Sequence, residues 1–309
     1  MRTLTLVRKD LKDTCRTKTT WLVAFLLLFL GSLMAYIFSA NPYPSETLQF
    51  KHVFLDIIQI MSVIMPIVAI VATYLAIAGE RERGSIKFML SLPNTRRQVF
   101  VGKFASRSIT VGFSVLGTFV VSAIILGFRK GFLPFNVGSF PVSFVLGTTA
   151  IAVVYALTFV TVSLALSAAV STRSRAIAGA FGSYFVLVVL YVFPLTSVPD
   201  VVRWVHHDVL GLSINQDLYH FVEYTSPLYA LQKGLNLVVP ASLESYPFKA
   251  DRIGRNRLQM AGAEKKRALL EGVDLPTYLQ DEFALVIFAF WIVVPLVIGY
   301  WRFRQAELG

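Results

Sequence analysis

Six stretches of the chain, roughly 20–39, 57–79, 107–127, 143–170, 176–195 and 283–301, run for 19 to 28 residues with no internal Asp, Glu, Lys or Arg apart from Arg107 at an edge. A helix crosses a hydrocarbon core with about 20 apolar residues. Strands would need period-2 alternation, and runs this long lack it, so the segments read as helices. With 55% hydrophobic and 15% charged residues and a mean hydropathy of +0.64, the chain is far oilier than a soluble domain. The fold expected is an all-α polytopic membrane bundle of six helices. Trp21, Tyr36, Tyr74, Tyr191, Trp291, Tyr300 and Trp301 stand near the ends of the runs, where aromatic belts form. Pro66 and Pro295 fall within spans, where neighbouring helices can satisfy the carbonyl that each proline frees.

Orientation follows from Lys and Arg. With the N-terminus inside, the short inner pieces carry six (1–20), seven (80–107), two (171–175) and two (302–309), against one (40–56) and two (128–142) outside. Cytoplasmic loops concentrate these residues, so both termini are expected in the cytoplasm of a cell-membrane protein. The long segment 196–282 carries nine Lys/Arg yet falls outside, and long segments translocate regardless of charge. A rival with a seventh crossing at 226–240 is disfavoured because the run is short and broken by Lys233; a re-entrant element fits it better. The net charge of +11 is assigned to anionic lipid headgroups and orientation rather than to nucleic acid. A single cysteine, Cys15, leaves no internal disulfide.

The resulting organisation is an amphipathic cytoplasmic helix over 1–19, membrane helices one to five over 20–195 with a charged loop at 80–106, an extracytoplasmic domain over 196–282, and helix six with the tail over 283–309. In the first piece Leu4, Val7 and Leu11 share one helical face while Arg8, Lys9, Lys12 and Arg16 point elsewhere, the pattern of a helix lying on a membrane surface. Residues 256–271 read as a further helix whose Lys265, Lys266 and Arg267 form a basic patch.

Several chemistries are missing from the sequence. There is no GxxxxGK[ST] loop to cradle nucleotide phosphates, and no HExxH or GxSxG motif. His206, His207, His220 and Asp208 have metal-ligand chemistry, but adjacent histidines point apart and solvated loop positions explain them. Coupled transporters keep ionisable groups at mid-membrane, and these spans have none; Asp56 lies at a boundary. A bundle without its own energy source calls for an external motor.

The stretch "AGERERGSIKFMLSLPNTRRQVFVGKFASRS" (78–108) packs seven Lys/Arg and two Glu between two apolar runs. Residues 80–90 can form a short helix with Ile86, Met89 and Leu90 on one side. Gly84 would permit close backbone approach, Pro93 would end the helix, and Asn94 or Thr95 would cap the next. Glu80, Arg81, Glu82 and Arg83 offer exposed charge pairs and Ile86 or Phe88 an apolar knob, the anatomy of a protein–protein contact. A loop that only sets topology is the plainer alternative. Glu80 to Gly84, Ser91, Leu92, Pro93, the basic pair Arg96 and Arg97, and Gly102 with Lys103 resemble the loop after the second span of ABC-2 type permeases, in their NosY-like branch. "LSAAVSTRSRAIAGA" (166–180) and "EYTSPLYAL" (223–231) are similar to other elements of that family.

The resemblance implies a permease, an exporter in particular, driven by a separate ABC ATPase that holds the ATP and Mg, with no cofactor in this chain. It implies a second permease copy or a paralogue, and surrounding membrane lipids. Glu80, Arg81, Glu82, Arg83, Gly84, Ile86, Phe88, Arg96 and Arg97, with Arg173 and Arg175 of the short loop 171–176, become the ATPase-coupling residues. Gly112, Ser114, Gly117 and Ser122 on span three and Gly179 and Gly182 on span five suit sliding helix interfaces. The other reading is a membrane anchor or scaffold whose external domain binds a partner. Lipid, peptide, drug and copper-related sulfur species all remain open as cargo.

Overall fold

The computed structural model describes residues 2–40, 46–86, 95–133, 140–192, 198–238 and 277–306. Every regular element among them is helical. Six helices are long and apolar enough to cross a membrane: Thr20–Phe38, Phe50–Glu82, Arg96–Arg129, Val142–Ala169, Arg173–Val192 and Phe283–Gln305. The chain forms two compact units, one of Met1–Ser183 with Phe290–Gly309 and one of Tyr184–Ala289.

The first unit contains α1 (Arg2–Arg16), α2 (Lys18–Phe38), α3 (Glu46–Thr73), α4 (Ala78–Glu82), α5 (Arg96–Arg129), α6 (Val142–Ala169), the start of α7 (Arg173–Val192) and most of α11 (Phe283–Gln305). α6 is its centre: 67% of its apolar window is buried, against 22% for α2, α7 and α11, whose apolar faces point outward. That outward apolar surface is what hydrocarbon solvent tolerates.

Both prolines show why α6 is central. Pro66 has no N–H for the Ser62 carbonyl, and the Tyr155 hydroxyl of α6 donates to that carbonyl instead, at 2.8 Å. Pro295 leaves the Trp291 carbonyl short in the same way, and the Thr161 hydroxyl of α6 donates to it at 2.9 Å. An unsatisfied carbonyl in hydrocarbon costs several kcal/mol, so these two hydroxyls join the two proline-bearing helices to α6.

Helix approach is closest at other glycines than the sequence suggests. A Cβ on Gly31 of α2 would sit 2.4 Å from Thr118 Cγ2, and one on Gly299 of α11 2.7 Å from Ala165 Cα. Gly112 and Gly179 meet neighbours only at ordinary distances, and Gly117 and Gly182 meet nothing within 4 Å. Small residues mark tight interfaces only where the crossing point falls on them, and spacing alone does not give that point.

α5 starts at Arg96, eleven residues before the apolar run does, because its first turns are held by a capping box. The Thr95 hydroxyl accepts from the Gln98 amide at 3.2 Å, and Gln98 Oε1 accepts from the Thr95 amide at 2.9 Å. α1 packs along this extension of α5. Its inward face is Leu6, Asp10 and Thr14, whereas Leu4 is 76% exposed. Of the expected apolar face, Val7 and Leu11 are half-buried and Leu4 is open, while Leu6 and Asp10 beside them carry the contact with α5.

The second unit holds α8 (Val198–Arg203), a π-helical turn at Trp204–Val209, α9 (Gln216–Tyr224) and α10 (Pro227–Asn236). Ser226 caps α10, accepting from the Tyr229 amide at 3.2 Å, with Pro227 pre-set at the first helical position. With 10 residues, α10 extends about 15 Å and cannot cross a bilayer, so a seventh crossing at 226–240 does not form among the described residues. Lys233 is 7% exposed and donates to the carbonyls of Tyr224 and Tyr278, with the Tyr224 ring beneath it. His206 Nδ1 lies 3.0 Å from the Tyr219 hydroxyl and His207 Nδ1 2.9 Å from the Leu212 carbonyl; the His220 side chain and the helix expected at 256–271 lie outside the described residues.

Candidate functional site

The charged loop gathers at one end of the first unit, around α4. Its apolar footing is a cluster of Ala76, Ile77, Ile86, Val99, Phe100, Leu164, Ala168 and Phe303, all nearly inaccessible. The helical run breaks at Gly84, whose φ of +71° only glycine adopts without strain. Among the described residues nothing lies within 4 Å of a Cβ there, so what Gly84 provides among them is the turn of the chain.

Four charges meet below α4. Lys103 is 2% exposed, and its Nζ lies 2.6 Å from Glu80 Oε1 and 3.1 Å from Asp10 Oδ1. Arg107 Nη2 is 3.6 Å from Asp10 Oδ2, and the Ser106 hydroxyl donates to the same carboxylate. Two cations and two carboxylates therefore balance in a partly buried knot joining α1, α4 and α5. Burial pushes the Asp10 carboxyl up, but Lys103, Arg107 and the Ser106 bond pull harder and hold it below its ordinary value of 3.8. The Gly–Lys pair of the loop thereby acquires a physical reason. Gly102 lets α1 approach, its would-be Cβ being 3.4 Å from Leu6 Cβ, and Lys103 reaches the two acids on either side.

The remaining loop charges serve helix ends. Arg81 Nη1 donates to the carbonyls of Ala168 (3.1 Å) and Val170 (2.9 Å), at the negative end of α6. In return the Ser167 hydroxyl accepts from the amides of Ile77 (3.1 Å) and Ala78 (3.0 Å), where α4 begins. Glu82 accepts from the Arg173 amide at 2.9 Å, a carboxylate at the positive end of α7, and pairs with the Arg173 guanidinium at 3.5 Å. Arg96 Nη1 donates to the carbonyls of Phe303, Arg304 and Ala306 at 3.1, 2.6 and 2.9 Å, closing the end of α11. Each of these ends would otherwise leave groups unpaired.

The exposed charge pairs and knob offered by the sequence are thus divided. Glu80, Arg81 and Arg96 are partly buried and internally engaged, and Ile86, at 2% exposure, is core and not a knob. Glu82, Arg83, Arg97 and Arg175 are exposed, and Arg173 is half-exposed beside Glu82. Phe88 lies outside the described residues, as do Ser91, Leu92 and Pro93. Asp10, Ser106 and Ser167 went unread as site residues. Asp10 alone left a signal: an acid among the basic residues of α1, spaced four from both Leu6 and Thr14.

Comparison with known proteins agrees with this architecture. The family described as ABC-2 family transporter protein matches residues 4–308. The chain is 27% identical over 262 residues to the "Probable ABC transporter permease protein NosY" of Stutzerimonas stutzeri, covering 77% of this chain and 89% of that one. It is 27% identical over 181 residues to the "Probable multidrug ABC transporter permease YbhR" of Escherichia coli K12, covering 58% and 44%. With six membrane-length helices and a family match across nearly its whole length, the chain belongs to the ABC-2 transporter family, as a multi-pass ABC transporter permease.

Proposed function

We propose that this permease is an exporter subunit of the cell membrane, driven by a separate ATPase that docks on the α4 end and holds the ATP and Mg. Both termini then lie in the cytoplasm, and the working transporter contains two permeases, a second copy or a paralogue. The observation that carries the reading is the wiring of α4. Arg81 and Ser167 tie it to α6, Glu82 ties it to α7, and Glu80 ties it through Lys103 to α5 and α1. A push on α4 therefore moves the ends of four other helices, because close-packed, hydrogen-bonded elements shift as bodies. The exposed Glu82, Arg83, Arg97 and Arg175, with the half-exposed Arg173, supply the rim a motor would grip, and Glu80, Arg81, Gly84, Ile86 and Arg96 supply transmission behind it.

Co-purification of the ATPase with Arg83→Ala and Arg97→Ala permeases tests this. Losing a charged partner at a buried contact typically costs about 2–5 kcal/mol, a factor of roughly 30 or more in affinity. Both residues are exposed, so the melting temperature of the permease alone should hold within the scatter of ordinary surface substitutions, about 0.5 kcal/mol. Unchanged ATPase recovery from correctly inserted variants would return the loop to a topology signal and leave the scaffold reading standing.

A further inference from the structure

α1 and α2 are separated by a single extended residue, Thr17, with φ −83° and ψ 120°. The bend, together with the ends of α3 and α4, encloses a cleft of about 620 Å³, inside the roughly 300–1,000 Å³ of small-ligand sites. The cleft is amphipathic. Lys9, Asp13, Thr17 and Arg83 line one part, while Val23, Val71 and Leu75 line another, where the apolar stretches of α2 and α3 begin and end.

Its charge can be counted. Asp10, Glu80, Lys103 and Arg107 form the balanced knot and sum to zero. The wall itself carries Lys9, Arg83 and Arg107 against Asp10, Asp13 and Glu80, and the buried Lys103 behind Asp10 and Glu80 brings the net to one positive charge. Donors and acceptors both stand on the wall, the Lys9 and Arg83 cations on one hand and the Asp13 carboxylate and Thr17 hydroxyl on the other. A phosphodiester brings one negative charge and acceptor oxygens, and a hydroxylated headgroup brings donors. Acyl chains match the Val23, Val71 and Leu75 wall.

We infer that this cleft binds the headgroup of a phosphodiester amphiphile, a phospholipid or a lipid-like cargo. The inference rests on the membrane placement of the bundle and not on the motor. The experiment is native mass spectrometry of the purified full-length permease titrated with dioleoyl-phosphatidylglycerol, compared with dioleoylglycerol, which has the same chains and no phosphate. One phosphatidylglycerol per chain should persist, and Lys9→Gln with Arg83→Gln should weaken it about thirtyfold, each surface cation contributing a factor of about five. Equal retention of dioleoylglycerol, or unchanged affinity in the double variant, overturns the inference. So does full displacement by glycerol 3-phosphate at equal concentration, which would make the site one for a soluble anion. In the complex with its ATPase, turnover that rises with added phosphatidylglycerol identifies the occupant as cargo, and flat turnover identifies it as resident lipid. Loss of ATPase association in the double variant bears on the docking rim alone, because lipid retention is read on the permease by itself.

Discussion

Replacing Lys103 by methionine keeps the volume and removes the ammonium that Asp10 and Glu80 share. At 2% exposure the lysine is replaced by no water. Asp10 keeps Arg107 at 3.6 Å and the Ser106 hydroxyl, but Glu80 loses its only ion pair among the described residues. Breaking a buried pair by removing one partner typically costs about 3–5 kcal/mol, because an uncompensated charge is left behind. The knot is partly exposed on the Glu80 side, at 26%, so the lower end, about 3 kcal/mol, is expected. In detergent this corresponds to a melting temperature lower by about 5 °C, read by loss of the monodisperse peak on size-exclusion chromatography after heating. Glu80→Gln in the same chain should recover much of the loss, since it removes the stranded charge while keeping an acceptor. The double variant should therefore be more stable than Lys103→Met alone. A Lys103→Met permease that melts with the wild type would refute the reasoning. So would a double variant whose losses simply add, since independent sites add and coupled ones do not.

Other consequences follow from the same geometry. Tyr155→Phe strands the Ser62 carbonyl and should cost about 1–3 kcal/mol; Pro66→Ala in that background should recover stability by restoring the helix amide, and a further loss on thermal melting would contradict the account. Asp10 is held below its ordinary value of 3.8, so its contribution is fully present above that pH and drains away as pH falls through and below it. Asp10→Asn should therefore lose stability at pH 7, with the gap to wild type narrowing as the pH falls below 3.8, and a pH-independent difference in melting would contradict the assignment. Cys15 is exposed; with a cytoplasmic N-terminus it should react with impermeant maleimide only after the cells are opened, and labelling of intact cells would reverse the orientation.

The solvent, the number of membrane helices and their order are legible in the residues alone, because hydrocarbon imposes its demand residue by residue. A charge in a span is expensive wherever it sits, so length and composition suffice to find the spans. The sequence also narrowed the cap of α5 to Asn94 or Thr95, of which the structure uses Thr95, its partner three residues away, and it forecast that other helices would serve Pro66 and Pro295 without naming Tyr155 and Thr161. Which charges of the loop face outward depends instead on how the helices pack. Glu80 and Arg83 read alike in sequence, yet one meets a lysine 23 positions away and the other stays exposed. The docking of α1 was decided the same way, by Asp10 finding Lys103 across 93 residues, a contact that no local pattern announces. A local pattern reports the average environment of a helix, whereas an ion pair or a capped helix end depends on two points distant in the chain. The meeting of those points is a property of the packed bundle alone.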